Sequence, residues 1–156
     1  MLRIFGLLGL MGLASISWGQ VSLSDCDFGL RVGQDWGTSS YGLLVEYQGD
    51  EGQTIHVSAT SLGGLSKIYT AYLFDGDGEL LDTEGLTYKY GGGPSVTFGA
   101  GTTYGVEGFA GLNYKNANVP FGLRLDWRPG VYLVGSDAVT DIAQFGLNVI
   151  AYIDEF

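Results

Sequence analysis

Between residues 119 and 129 the chain reads VPFGLRLDWRP, and every odd position from Val119 to Trp127 is apolar. The even positions carry the three charges of this segment, on Arg124, Asp126 and Arg128. Because successive side chains of a β-strand point to opposite faces of the sheet, this alternation predicts a strand with one apolar face and one charged face. A fold built from such strands must give the two faces different surroundings.

The same alternation recurs along the chain and predicts eight strands. They are expected at residues 27–36, 40–48, 53–62, 65–75, 86–98, 104–115, 119–129 and 145–156. The connections are rich in Gly, Asp, Asn and Ser, as turns are, and the longest lies at residues 130–144. Residues 91–94 read GGGP, which predicts a kink or bulge in the fifth strand. The fold class is therefore all-β, and we predict an eight-stranded antiparallel up-and-down barrel.

Charged residues within the predicted strands lie on one strand face, except at the strand ends. The set that we expect to line the interior is Arg31, Glu46, Lys67, Lys89, Glu107, Arg124, Asp126 and Arg128. An eight-stranded barrel has an interior just wide enough for side chains to fill, so these charges are expected to pair in a structural network. The alternative is that they line a narrow channel.

Residues on the opposite face of the predicted strands are almost free of charge. A Lys or Arg that faces lipid at the bilayer midplane costs about 2–4 kcal/mol, so this segregation fits an outer wall in lipid and a polar lumen. A soluble secreted barrel with the apolar phase inside, around a ligand, would show the same alternation. Aromatic residues near the strand ends favour the membrane, where such residues form belts at both interfaces: Tyr41, Tyr47, Tyr104, Tyr114 and Trp127.

Residues 1–19 have the composition of a secretory signal peptide. Arg3 precedes an apolar stretch, and the small residues Ser17 and Gly19 predict cleavage after Gly19. The apolar stretch is too short for a transmembrane helix, which needs about 20 residues. Residues 20–156 are expected to form one domain that crosses the periplasm of a Gram-negative bacterium to reach the outer membrane.

Net charge and cysteine content exclude some classes of partner and bond. The chain carries a formal charge of −10, and loss of Arg3 leaves six basic against 17 acidic residues, or −11. This acidity argues against nucleic acid as a partner and against electrostatic attraction to anionic lipid. Cys26 is the single cysteine, so no intrachain disulfide forms.

Two short motifs resemble sites of chemistry. His56 and Ser58 share one strand face, so the imidazole could activate the hydroxyl, but their phase points inward and no acidic residue has a matching position in the following strand. We predict that His56 is structural. Residues 75–79 read DGDGE, like the start of a calcium loop, but they lack its third early ligand and predict a solvated acidic turn. We therefore expect no enzyme, cofactor or metal site.

Residues 106–133, VEGFAGLNYKNANVPFGLRLDWRPGVYL, and residues 88–99, YKYGGGPSVTFG, carry a family resemblance. The first run and the sequence that follows it to residue 156 resemble the last three strands of small outer-membrane β-barrel proteins of the OmpA/OmpX type, especially those of Bacteroidetes. The second run resembles their glycine-rich fifth strand, so the resemblance covers about residues 86–156. The resemblance implies a multi-pass transmembrane barrel among outer-membrane lipid and lipopolysaccharide, inserted by the barrel-assembly machinery. It also implies a non-enzymatic structural or surface-interaction role. A porin-like passage and a lipid-modifying enzyme remain alternatives.

Overall fold

A computed structural model of the chain describes residues 25–49, 52–99, 101–116 and 118–152. The predicted signal peptide, its cleavage site and residues 153–156 of the predicted eighth strand lie outside this part of the chain. The strands are β1 (Cys26–Asp35), β2 (Thr38–Gln48), β3 (Gln53–Leu62), β4 (Leu65–Asp75), β5 (Leu86–Phe98), β6 (Thr102–Lys115), β7 (Phe121–Trp127), β8 (Gly130–Val134), β9 (Asp137–Asp141) and β10 (Phe145–Ala151). A short 3-10 turn, Leu80–Asp82, precedes β5.

Eight of these strands close into a ring. Each pairs antiparallel with its neighbour in the order β1, β2, β3, β4, β5, β6, β7 and β10, and β10 returns to β1. The predicted eight-stranded antiparallel barrel is confirmed, and β3, β4 and β5 have the predicted bounds. Closure pairs both sides of every strand in the ring.

The prediction of a loop at residues 130–144 was wrong. Here β8 and β9 form a hairpin with a two-residue turn at residues 135–136, and this hairpin extends β7 and β10 beyond the ring. Strand β6 is long enough to pair with β7 through its second half and with β8 through its first half. Pro129 separates β7 from β8, because proline has no N–H to donate to the sheet.

The glycines of β5 produce close packing rather than a bulge. The pairing of β5 with β6 runs without a skipped residue from Leu86↔Tyr114 to Phe98↔Thr102. A Cβ on Gly91 would lie 2.1 Å from the carbonyl oxygen of Tyr72, so only glycine permits this approach of β4. Gly91 also lies between two members of a buried apolar cluster, which consists of Tyr69, Ala71, Leu73 and Phe109.

The inner and outer walls have opposite polarity. The side chains of Arg31, Arg124 and Arg128 are inside, at 1 % exposure, whereas Leu30 is 59 % and Leu123 50 % exposed on the outside. The apolar phase therefore faces outward and the charged phase inward, opposite to a barrel with an apolar interior. Among the described residues, no helix has the length and apolar character needed to cross a membrane.

Candidate functional site: the charged barrel interior

All eight residues predicted to line the interior lie inside the barrel, none more than 9 % exposed. Asp27 and Asp35 are also buried, so the described part of the chain holds five buried carboxylates and five buried cations. Such charges are tolerated away from water only when they are paired and hydrogen-bonded.

The largest group of charges lies towards the β8–β9 end, and we call it the upper cluster: Arg31, Asp35, Lys67, Glu107, Asp126 and Arg128. Arg31 contacts Asp35 at 2.8 Å (Nη1 to Oδ2) and Asp126 at 3.3 Å (Nη2 to Oδ1). Lys67 Nζ lies 3.0 Å from Asp35 Oδ1 and 3.2 Å from Glu107 Oε1. The contact of Lys67 with Asp35 joins β4 to β1 across the interior, and the other contacts between strands join β1 to β7 and β4 to β6.

A second group lies farther from the β8–β9 end, around a bidentate ion pair between Arg124 and Glu46, which we call the deeper ion pair. Arg124 Nη2 donates to Glu46 Oε2 at 2.7 Å, and Nη1 donates to Oε1. The Nε–H of Arg124 donates to Oδ1 of Asn113, its cross-strand partner. This geometry is the strongest form of carboxylate recognition by arginine, and it uses both oxygens of Glu46.

The hydrogen bonds of His56 define its tautomer and occupy both ring nitrogens. Nε2 lies 3.3 Å from Nη2 of Arg128, and a guanidinium can only donate. Nε2 therefore accepts, and Nδ1 carries the proton that is donated to Glu46 Oε1 at 2.8 Å. Ser58 Oγ also accepts from Arg128, at 3.0 Å. Both His56 and Ser58 are thus held by Arg128, and no hydrogen bond joins them to each other.

The acidic partner of His56 was missed at the level of sequence. Glu46 lies directly opposite His56, but on the preceding strand, whereas an acidic partner was expected on the following strand. Asp35 was missed although it lies within the predicted strand at residues 27–36 and on the same face as Arg31. Gln144, which contacts Lys67 Nζ at 2.7 Å, was missed because it falls in the segment expected to be a loop.

At the opposite end, where β1 begins and β10 ends, the barrel opens into a cavity of about 1150 Å³, the basal cavity. Lys89 lies in its wall, with Nζ 2.9 Å from Asp75 Oδ1 and 2.6 Å from Thr54 Oγ1. Arg124 and Asn113 form its inner end. The cavity therefore reaches the deeper ion pair but not the upper cluster.

The acidic turn at residues 75–79 does not gather its carboxylates around one point. Asp75 pairs with Lys89, and Glu79 Oε1 accepts from the backbone N–H of Gly85 at 3.1 Å. In the described part of the chain, no three His, Cys, Asp or Glu side chains are grouped as ligands for a metal ion.

No protein-family model, curated protein or solved structure matches this chain. The arrangement of its own residues is therefore the basis for a functional proposal. That arrangement is a closed barrel with a compensated charged interior, an apolar outer wall and one open end.

Proposed function

We propose that this chain is an integral outer-membrane β-barrel protein of the OmpA/OmpX type, of the kind found in Bacteroidetes, with a non-enzymatic structural or surface-interaction role. The reversed polarity of its walls is the observation that carries the proposal. Outward residues in the middle of the strands are large and apolar, such as Leu43 at 61 %, Leu125 at 57 % and Leu147 at 50 % exposure.

Lipid resolves the energetic conflict that this outer wall would meet in water. Monomeric soluble proteins rarely expose contiguous apolar patches beyond about 300–600 Å², since such patches associate. In a bilayer the same side chains are in their preferred solvent, and a closed barrel leaves no strand edge with unsatisfied hydrogen bonds. Both requirements are met by the ring of eight strands.

Aromatic side chains at both ends of the wall support the same placement. Tyr72, Phe74 and Tyr90 form an outward cluster near the basal end, with ring centroids 5.0 and 5.8 Å apart. Tyr41 and Tyr104, 65 % and 60 % exposed, lie near the other end. Two such bands correspond to the aromatic girdles of outer-membrane barrels at the membrane–water interfaces.

The hairpin β8–β9 is the candidate for surface interaction. It extends beyond the ring, and it exposes apolar side chains on both strands and on the following connection, among them Leu133, Val139 and Ile142. If the chain termini are periplasmic, this hairpin lies on the cell surface. Shortening it at the 135–136 turn should leave assembly intact and change only a surface phenotype.

A narrow channel is the second candidate, because the basal cavity penetrates as far as Arg124. Passage through the rest of the barrel would require the upper cluster to rearrange. Planar-bilayer recordings separate the two functions: a filled barrel gives no unitary current, whereas a channel gives steps that change when Glu107→Gln alters the upper cluster.

Location is tested by fractionation and heat-modifiability in a Gram-negative host. We expect the protein in the outer-membrane fraction after a carbonate wash, with faster gel migration when it is not boiled. Recovery as a soluble periplasmic or secreted protein, with no shift on boiling, would contradict the proposal. An unrelated soluble β-sheet protein with the same signal peptide is the control for overexpression artefacts.

A further inference from the structure

The outer wall of the barrel carries a groove of about 460 Å³ that crosses from β5 to β10. Its floor is the small side chain of Ala110, whose cross-strand partners on either side are the aromatic residues Tyr90 and Trp127. Phe145, the partner of Trp127 on β10, continues the aromatic row. One small residue among three large ones therefore forms the depression, and its volume lies in the range of about 300–1,000 Å³ typical of small-molecule sites.

The sides of this groove are held in place by hydrogen bonds of the protein itself. Trp127 Nε1 donates to the carbonyl oxygen of Ile142 at 2.7 Å, which fixes the indole ring on one side. Towards the basal end, the connection between β4 and β5 is joined to the wall by the N–H of Gly76, which donates to the carbonyl oxygen of Tyr88 at 2.8 Å. Leu80 of the same connection lines the groove. A groove with such fixed sides loses little conformational freedom when it binds a ligand.

The connection between β4 and β5, which we call the basal rim, is both apolar and acidic. Leu81 is 82 % exposed, although its backbone φ of 58° is in the left-handed region where a leucine is strained. An exposed leucine beside the outer wall is favourable where it contacts lipid at a membrane interface. The exposed residues Glu79 and Glu84 flank the two leucines of the rim. A headgroup at this end of the groove therefore meets negative charge.

Groove and rim together favour one kind of occupant. The aromatic and aliphatic lining suits a hydrocarbon chain, while the carboxylates of the rim repel an anionic headgroup and attract an ammonium group. A second copy of this chain, packed on the groove in the same membrane, would bring its own acidic rim to the same depth, where like charges repel. The charges thus favour a lipid over a dimer.

We infer that the groove binds one acyl chain of a zwitterionic phospholipid, with the ammonium of its headgroup beside Glu79 and Glu84. Phosphatidylethanolamine has this chemistry, and its ammonium can donate to both carboxylates. Phosphatidylglycerol has the same chains with an anionic headgroup and is the contrasting probe. The inference rests on the outer-membrane placement proposed above, and the experiment separates failure of the one from failure of the other.

The test uses Trp127 as a reporter, because brominated acyl chains quench the fluorescence of a tryptophan that they contact. With Trp36→Phe, Trp127 is the single tryptophan of residues 20–156. The folded protein is placed in vesicles of equal amounts of phosphatidylethanolamine and phosphatidylglycerol, with one of the two brominated. Quenching should show an about twofold to fivefold preference for phosphatidylethanolamine. The preference should decrease as salt rises.

Two sets of variants separate the groove from the rim. Ala110→Phe fills the groove with an apolar side chain and should make quenching by the two lipids equal. Ala59→Phe, the same change on the outer wall of β3, should keep the preference. Glu79→Gln with Glu84→Gln should abolish the preference while quenching itself persists, because the groove is intact. Asp137→Asn, a loss of charge on β9 at the opposite end, should change neither quantity.

Equal quenching by the two lipids, or stronger quenching by phosphatidylglycerol, would overturn the inference and leave the membrane placement intact. Absence of quenching by either lipid would contradict the lipid-facing wall and the inference with it. Native mass spectrometry of the wild-type protein, released from the same lipid mixture, should show one retained phosphatidylethanolamine in preference to phosphatidylglycerol. Equal retention would also overturn the inference, so its test does not depend on the folding of Trp36→Phe.

Discussion

The inner and outer walls of this barrel are built from alternate residues of the same strands, yet they obey opposite rules. In β7, Arg124 and Asp126 are 1 % exposed inside, while Leu123 and Leu125 are 50 % and 57 % exposed outside. Inside, each charge is held by a partner from another strand, so the inner wall requires particular residues at particular positions. Outside, the side chains need only be apolar. Substitutions on the two walls should therefore differ in how much stability they cost and in which second substitution can restore it.

The largest effect is expected from breaking the deeper ion pair. Glu46→Ala leaves the guanidinium of Arg124 buried without its carboxylate, so the free energy of unfolding should fall by about 3–5 kcal/mol. Urea titration of the barrel refolded in lipid vesicles measures this. The double variant Glu46→Leu, Arg124→Met removes both charges and should recover most of the loss. A loss below about 1 kcal/mol for Glu46→Ala would mean that water already compensates this pair.

A charge added to the outer wall should cost somewhat less. Leu123→Arg places a guanidinium near the middle of the proposed lipid-facing wall and should reduce the free energy of unfolding in vesicles by about 2–4 kcal/mol. Leu133→Arg, on β8 beyond the ring, is the matched control and should cost about 0–1 kcal/mol. Equal costs at the two positions would indicate that the outer wall does not meet a hydrocarbon core.

The next largest effect is expected at the contact between β4 and β5, where stability depends on side-chain size rather than on polarity. Gly91→Val puts a side chain against the Tyr72 carbonyl and should destabilise the barrel by about 1–3 kcal/mol. Gly101→Val has open space around its Cβ and should change stability by no more than about 0.5 kcal/mol. Thermal unfolding of both variants compares them, and a tolerated Gly91→Val would mean that β5 can move away from β4.

The smallest effect is expected where the hairpin joins the ring. Asp141 accepts from the backbone N–H of Trp36 at 2.9 Å and from that of Ala143 at 3.0 Å. Asp141→Ala should lower stability by about 1 kcal/mol and increase amide hydrogen exchange at both donors. Asp137→Ala, at the start of β9, is the control and should have almost no effect on exchange at Trp36.

The period of the sequence predicts most strand positions and which residues share a wall, because a one-residue shift would exchange the two walls. It does not predict which wall faces inward, since a barrel with the apolar face inside would show the same alternation. The period also does not predict which charged residues meet across the barrel interior. Lys67 and Glu107 are on β4 and β6, and nothing local to either residue specifies that they meet. The hairpin β8–β9 was missed for a different reason: its two-residue turn and Pro129 divide the alternation into pieces too short to distinguish from a loop.

The candidate site shows the same division. The alternation predicts that His56 and Arg124 share a wall, but their partner Glu46 is found only once the register of β2 with β3 is known. The hydrogen bond from Arg124 to Asn113 likewise depends on the register of β6 with β7. Periodicity thus predicts which residues share a wall, and register determines what each of them contacts there.

Spin labelling of β7 distinguishes an outer wall in contact with lipid, as we propose, from one exposed to water. Single-cysteine variants in a Cys26→Ser background would place a label at Phe121, Leu123, Leu125 or Trp127, and one label at Ser136 in the hairpin turn would serve as the aqueous reference. We expect the four β7 labels to be more accessible to oxygen than to a water-soluble nickel reagent, with the strongest preference at Leu123 and Leu125. The label at Ser136 should show the reverse. Four β7 labels as accessible to the nickel reagent as Ser136 would contradict the proposed contact with lipid.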